Sequence, residues 1–277
     1  MALTDRSSMK ETRFHDYTHA VEYDRKAAKS DIRAELAVKL VEALELEGGE
    51  LVLDLATGTG RFARPVCHHL KGGRVVGVDQ AFAMLKVGSE QKGKESIPGY
   101  AQVAGNAEAL PLCDRTFDRA FVAFAFHHFG APTSQAVREI RRILKAGGKF
   151  FILDPVLVEP EDTLDKSLNE WINQVFQRTH GENFSFKTAS GIAGLLAGES
   201  FEIVRSDRHR FSIDQSGMDG IPTGRHWLEV AEELEREPEE VRARFEKSYF
   251  VRRKEGDQAR IKGQLGYAII CGEKRDD

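Results

Sequence analysis

The residues best placed to do chemistry stand at the ends of two apolar runs. Leu51-Val-Leu-Asp54 leads through Leu55-Ala56-Thr57 into Gly58-Thr-Gly60, and Arg74-Val-Val-Gly-Val-Asp79 ends in a second acid. Two acids beside a glycine turn suit a nucleoside ligand at the carboxyl edge of a parallel sheet. Two ligand chemistries compete for such a turn. Gly58-x-Gly60-x-x-Ala63, with Asp79 further on, satisfies a relaxed dinucleotide pattern and leaves a nicotinamide-dependent oxidoreductase open. A pyrophosphate, however, brings two negative charges to a helix N-terminus, and Asp54 would repel them. S-adenosyl-L-methionine instead carries a sulfonium and an amino group, which an acid attracts. Gly58 and Gly60 let the backbone approach the ligand, and the Asp79 carboxylate can accept from both ribose hydroxyls. S-adenosyl-L-methionine is therefore the expected cofactor. The competing reading of Asp54 is a cap on the next helix.

Further segments follow in order. Gly105-Asn-Ala-Glu-Ala-Leu-Pro-Leu112 comes after a short apolar run at Tyr100–Ala104, and Phe117-Asp-Arg-Ala-Phe-Val-Ala-Phe-Ala125 reads as a fourth strand. Leu144-Lys-Ala-Gly-Gly-Lys-Phe-Phe-Ile-Leu-Asp154 reads as a helix end, a glycine turn and a fifth strand. Together these segments resemble the class I S-adenosylmethionine-dependent methyltransferases, and most closely the small-molecule branch that includes the ubiquinone and menaquinone methylases. The resemblance covers roughly residues 15–155.

The resemblance implies roles position by position. Asp54, Gly58 and Gly60 line the methionine part, and Ala56 stands where the family's turn has its first glycine. Asp79 binds the ribose, with Gln80 beside it. Asn106 replaces the usual acid at the adenine amino group and keeps an acceptor oxygen there. Ala107 offers a backbone N–H to the ring, and Met84 and Phe124 complete the cofactor-facing set. In the lead-in, Tyr23 of a Tyr-Asp pair closes over the methionine end, where its ring attracts a cation. Its alternative role is to anchor the lead-in.

His127-His128-Phe129 lies at the end of the fourth strand, and His127 is the candidate general base. A structural role for the pair stays open. His180, His209 and His226 are scattered and suggest no metal site, and His15 and His19 lack a third ligand. The sulfonium carries the difficult chemistry, so no nucleophile motif is needed. Phe124, Phe126, Phe129, Trp171 and Phe176 suggest a small apolar or aromatic acceptor, although a buried core would use the same residues.

These residues need a scaffold. Strand and helix alternate from Leu51 to Asp154, so the expected fold is α/β: a Rossmann-like, doubly wound, mostly parallel sheet of seven strands. Residues 1–30 form a lead-in over the cofactor, its first 13 residues polar and mobile, and residues 31–277 form the main domain. Ile32, Leu36, Leu40 and Leu44 predict an amphipathic helix over Asp31–Leu46. Further helices are predicted at Arg61–Leu70, Phe82–Gln91 and Pro132–Leu144, and final strands at Phe201–Ile213 and Gln264–Glu273. Two helical additions follow strands five and six, at about residues 156–190 and 214–263. They are read as a lid over the acceptor; a dimer surface, and so a homodimer, is the alternative.

Composition narrows the classes. A net charge of −4 argues against a nucleic-acid partner. No apolar run approaches the length of a membrane span. Cys67, Cys113 and Cys271 form no zinc or disulfide pattern, which fits a cytoplasmic protein. A noncatalytic cofactor sensor or scaffold remains the third class alongside methyltransferase and oxidoreductase.

Overall fold

Four consecutive residues of the central strand explain the layering. Phe150, Phe151, Ile152 and Leu153 are all buried, and successive side chains of a strand point to opposite faces. Phe150 and Ile152 join one apolar core, Phe151 and Leu153 another. A sheet buried on both sides needs helices on both sides.

In the computed structural model, which describes residues 12–95, 97–130, 133–221, 223–255 and 258–275, the sheet order is β3-β2-β1-β4-β5-β9-β7. Its strands are β1 (Leu51–Leu55), β2 (Arg74–Asp79), β3 (Tyr100–Ala104), β4 (Phe117–Ala123), β5 (Leu144–Leu157), β6 (Lys187–Thr188), β7 (Phe201–Ser216), β8 (Phe250–Glu255) and β9 (Gln258–Lys274). The first five are mutually parallel, and β9 and β7 add antiparallel. The helices are α1 (Tyr17–Ala27), α2 (Asp31–Leu44), α3 (Ala63–His69), α4 (Phe82–Glu95), α5 (Thr133–Ile143), α6 (Thr163–His180), α7 (Ala189–Gly198), α8 (Gly224–Leu234) and α9 (Glu239–Ser248). Helices α2 and α3 cover one face of the sheet, α5 and α7 the other. Leu36, Leu40 and Leu44 are buried as the four-residue recurrence requires, and Ser30 caps α2 by accepting from the Arg33 N–H at 3.2 Å. The polar residues 1–11 and Pro132, read above as a mobile stretch and a helix start, lie outside the described residues.

The α/β class and mostly parallel order match expectation, but among the described residues the sheet has nine strands rather than seven. Two short strands account for the difference. Lys187–Thr188 pairs with the end of β5, and Phe250–Glu255 pairs with the first half of β9. Tyr249, within the predicted helical addition, follows the end of α9 because the chain turns there into β8. Gly263 permits that pairing: a Cβ there would lie 2.3 Å from both the Phe250 Cα and the Tyr249 carbonyl.

The last two long strands also run further than predicted. Pairing of β5 with β9 stops at Pro155, which has no N–H to offer. Beyond it, β7 and β9 continue as a ribbon that leaves the parallel sheet. Phe211, Ile213, Ile261 and Leu265 of this ribbon pack on a second core built by α6, α8 and α9. The two additions therefore share one apolar interior, centred on Phe176, Phe184, Phe186 and Trp227. Arg244 ties α9 to the start of α6 through Asp162 and Asp165, at 2.8 Å each.

Candidate functional site

The glycine turn is built by a chain of buried polar contacts. Asp54 is 2% exposed at the end of β1 and accepts from the Thr57 hydroxyl at 2.6 Å. The Tyr100 hydroxyl lies 2.9 Å from the same Thr57 oxygen. Ala56, Gly58 and Gly60 all have positive φ, at 55°, 56° and 79°. A Cβ on Gly60 would sit 2.7 Å from the Tyr100 hydroxyl, so that glycine is required for packing as well as for the turn. Ala56 carries the left-handed conformation despite its methyl group, a cost of about 1–2 kcal/mol. Phe124 does the same directly after β4, with φ 55°, which ends the predicted Phe117–Ala125 strand two residues early.

Asp79 faces this turn. Its Oδ2 accepts from the Gly58 N–H at 2.7 Å and its Oδ1 from the Ala81 N–H at 2.8 Å. A carboxylate has about four acceptor sites, so capacity remains for a diol. Burial pushes the Asp79 carboxyl up against those hydrogen bonds. Burial also pushes Asp54 up to about 8; the Thr57 hydrogen bond opposes this and the Asp79 charge adds to it. Burial thus favours the neutral carboxyl of Asp54, and a cation beside it would favour the carboxylate, which refines the simple repulsion argument made from sequence. Met84 is buried behind the turn, its methyl 3.2 Å from where a Gly58 Cβ would be. Gln80 and Asn106 are exposed and Ala107 half-buried; the Asn106 side chain accepts from the Glu108 N–H at 3.0 Å and keeps a further lone pair.

The lead-in is latched to the turn by a residue that sequence reading left out of the site. Asp24, 4% exposed, accepts from the Thr59 hydroxyl at 2.7 Å and from Arg61 Nε at 2.9 Å, and Arg61 Nη2 also donates to its carbonyl at 2.7 Å. An acid flanked by Tyr23 and Arg25 was its only signal. Tyr23 is half-buried, and its ring carries a cation of the protein's own: the Arg33 guanidinium lies 5.4 Å from the Tyr23 centroid and 5.9 Å from that of Phe124.

His127 follows β4 in a short 3-10 turn, Phe126–His128, and is 2% exposed. Its Nδ1 lies 2.9 and 3.0 Å from the two oxygens of Asp154, and its N–H donates to Asp154 Oδ2 at 3.1 Å. Burial pushes the imidazole down to about 3, with the charges of Lys187 and Arg33 adding to the shift. Burial pushes Asp154 well up, opposed by Lys187 and by the N–H groups of His127 and Phe126. The pair therefore orients the imidazole and leaves Nε2 as its other ring nitrogen, while burial disfavours an imidazolium. Phe184 and Phe186 each pack 4.9 Å from the His127 ring. His180 and His226, scattered in sequence, meet beside Glu229 in the second core.

The matches to known proteins agree with this geometry. A family profile described as "Methyltransferase domain" matches residues 53–152. A demethylmenaquinone methyltransferase of Thermobifida fusca is 39% identical over 114 residues, 41% of this chain and 47% of that protein. A ubiquinone/menaquinone biosynthesis C-methyltransferase of Shewanella sediminis is 31% identical over 185 residues, 65% of this chain and 67% of that protein. The chain belongs to the class I S-adenosylmethionine-dependent methyltransferases. It spans about half the length of the first curated relatives it matches. Methyltransferase structures share the fold. The YcgJ protein of Bacillus subtilis has a TM-score of 0.68 at 21% identity, covering 88% of this chain and all of that one. Phosphoethanolamine N-methyltransferase 2 of Haemonchus contortus, solved with S-adenosyl-L-methionine, has a TM-score of 0.62 at 16% identity, covering 99% of this chain and 61% of that one.

The cofactor of this methyltransferase family is S-adenosylmethionine, and the turn fits it. Gly58 and Gly60 hold the turn in its left-handed conformation, and Asp79 has acceptor capacity left for ribose hydroxyls. A concavity of about 470 Å³ lined by Arg115, Arg138, Arg141, Arg142 and Lys274 lies elsewhere, at the amino-end edge of the strands. Arg138 and Arg142 there are paired with Glu199, Glu139 and Asp114, so their charge is already met within the protein.

Proposed function

We propose that this protein transfers a methyl group from S-adenosylmethionine to a small apolar or aromatic acceptor by in-line displacement. The observation that carries the reading is the joint placement at one sheet edge. The turn with Asp54 and Asp79 stands at the ends of β1 and β2, while His127, just beyond β4, meets Asp154, three residues before the end of β5, among aromatic rings. The cofactor supplies an activated methyl on a sulfonium, so the chain's own work is to bind, align and exclude water. Asp79 holds the ribose, Asp54 meets the cationic end and Asn106 accepts from the adenine amino group, with Gln80, Ala107, Met84 and Phe124 alongside. Tyr23 and the Asp24 latch cover the methionine part.

His127 acts chiefly by position. Its Nδ1 is committed to Asp154, and burial keeps the ring neutral, so Nε2 accepts a proton only from an acidic acceptor. The core shared by the two additions supports reading them as a lid over the acceptor, lined by Phe184 and Phe186. Several relatives are named for quinone methylation, which favours a quinone-like ring as the acceptor. Among the described residues no helix is long and apolar enough to cross a membrane.

Thermal denaturation tests the cofactor. S-adenosylmethionine and S-adenosylhomocysteine are expected to raise Tm by mass action, and NADH is not. Mass spectrometry of a demethylated quinone incubated with S-adenosylmethionine is expected to show one added methyl. Stabilisation by NADH alone would return the site to the oxidoreductase reading; binding without turnover on any acceptor would favour a sensor.

A further inference from the structure

The second core brings together three side chains that ligate metals. His180 closes α6, while His226 and Glu229 lie three residues apart on α8, which puts them on the same face. Nε2 of His180 is 3.7 Å from Oε2 of Glu229, and the two imidazole centroids are 3.7 Å apart at 63°. One ligand atom from each of the three residues lies within 4.8 Å of the others. His180 is buried and the other two are half-buried, so the cluster is shielded yet reachable. Phe184 packs 5.0 Å from His180 on one side and 4.9 Å from His127 on the other, so one ring separates the cluster from the His127–Asp154 pair.

We propose that His180, His226 and Glu229 form a site for one divalent transition-metal ion of the zinc class. Two neutral imidazoles and a carboxylate are a donor set that such ions favour over magnesium or calcium, which prefer oxygen. At zinc–ligand distances of about 2.0–2.2 Å, tetrahedral ligand atoms stand roughly 3.3 Å apart. Small side-chain rotations close the widest gap, and the fourth position falls to water. The two helices come from the two separate additions, so the ion joins α6 to α8 and braces the wall behind Phe184. The site does not depend on the methyl-transfer reading, because its ligands are not the residues assigned to the cofactor.

Metal uptake by the full chain, without any activity assay, tests this. The protein is stripped with a chelator, titrated with zinc chloride against a competing chelator dye, and its bound metal counted by mass spectrometry. One equivalent and a raised Tm are expected. His226→Ala and Glu229→Gln are each expected to weaken zinc binding by about tenfold or more. A control lacking exposed candidate ligands elsewhere, His69→Ala with Cys113→Ser, keeps full affinity. X-ray absorption at the zinc edge of the unmutated protein reads the ligands directly, so the test survives if a variant fails to fold. Nitrogen and oxygen ligands including two imidazoles are expected. No zinc uptake at micromolar concentration, affinity in both variants unchanged from the unmutated protein, or a sulfur ligand would overturn the site.

Discussion

The two halves of this molecule are built on opposite principles. The parallel sheet carries its site on strand ends, where backbone geometry does most of the positioning: left-handed residues at Ala56, Gly58 and Gly60, and backbone N–H groups on Asp79. The added half carries almost no backbone-defined site. It is a cluster of rings from distant segments, Phe176, Phe184, Phe186 and Trp227, around which polar side chains gather. The first half can be read from spacing along the chain. The second exists only once α6, α8, α9 and the ribbon have met. A ligand site on strand ends tolerates changes elsewhere, whereas a site walled by packed rings depends on that packing.

That contrast can be broken most forcefully from the added side. Phe176→Ala removes a fully buried ring that packs on Phe184, Phe186 and Trp227, and should cost about 3–5 kcal/mol of stability. Chemical denaturation measures this, and calorimetry with S-adenosylmethionine at low temperature should find cofactor affinity nearly unchanged. A matching loss of cofactor affinity would mean that the halves are one cooperative unit.

On the sheet side, Asp79→Ala should weaken S-adenosylmethionine binding by about 1.5–3 kcal/mol, roughly ten- to a hundredfold. Titration calorimetry showing unaltered affinity would remove the ribose role. The same variant should leave zinc uptake by the added half untouched.

The pH dependence of cofactor affinity sharpens the role of Asp54. Its carboxyl is raised to about 8 by burial, and a bound cation lowers it, so binding releases a proton below that value. Affinity should therefore rise with pH between about 6 and 7.5, by up to about tenfold per unit, and level off above 8. The Asp54→Asn variant should bind more weakly with that slope removed; an identical slope would assign the proton elsewhere. Linkage runs the other way for folding without ligand. A carboxyl raised in the folded state favours folding while protonated, and that advantage fades as pH climbs from the ordinary carboxylate range toward 8.

The smallest expected effect is at Ala56. Replacing it with glycine relieves a left-handed alanine but adds unfolded-state entropy, for a net gain of about 1 kcal/mol or less. Denaturant midpoints measure it, and a clear loss of stability would show that the methyl group packs usefully.

Much of the sheet half was legible because strand ends and glycine turns leave local signatures. Asp54 and Asp79 were visible as acids closing apolar runs, and Leu36, Leu40 and Leu44 as one helical face. Asp24 was not visible as a latch, because its partners Thr59 and Arg61 lie in another element and no local pattern links them. Asp154 was read as a strand end, although β5 runs on to Leu157, and not as the partner of His127, since only the parallel pairing of β4 with β5 brings the two together. The eighth strand was missed because it lies within the stretch read as a helical addition; the pairing that makes it a strand needs Gly263, a glycine in a different strand.

By itself, then, the chain's order of apolar runs, acids and glycines determined the α/β class and the glycine turn with its two acids, because each depends on residues within one strand-turn-helix unit. Tertiary structure alone decided what crosses between units. It set Arg33 between Tyr23 and Phe124, joined His127 to Asp154 beside Lys187, and gathered His180, His226 and Glu229 at one point. Side-chain periodicity tells which face of an element is buried but not which element will bury it, and that second fact is supplied only by the closing of the core.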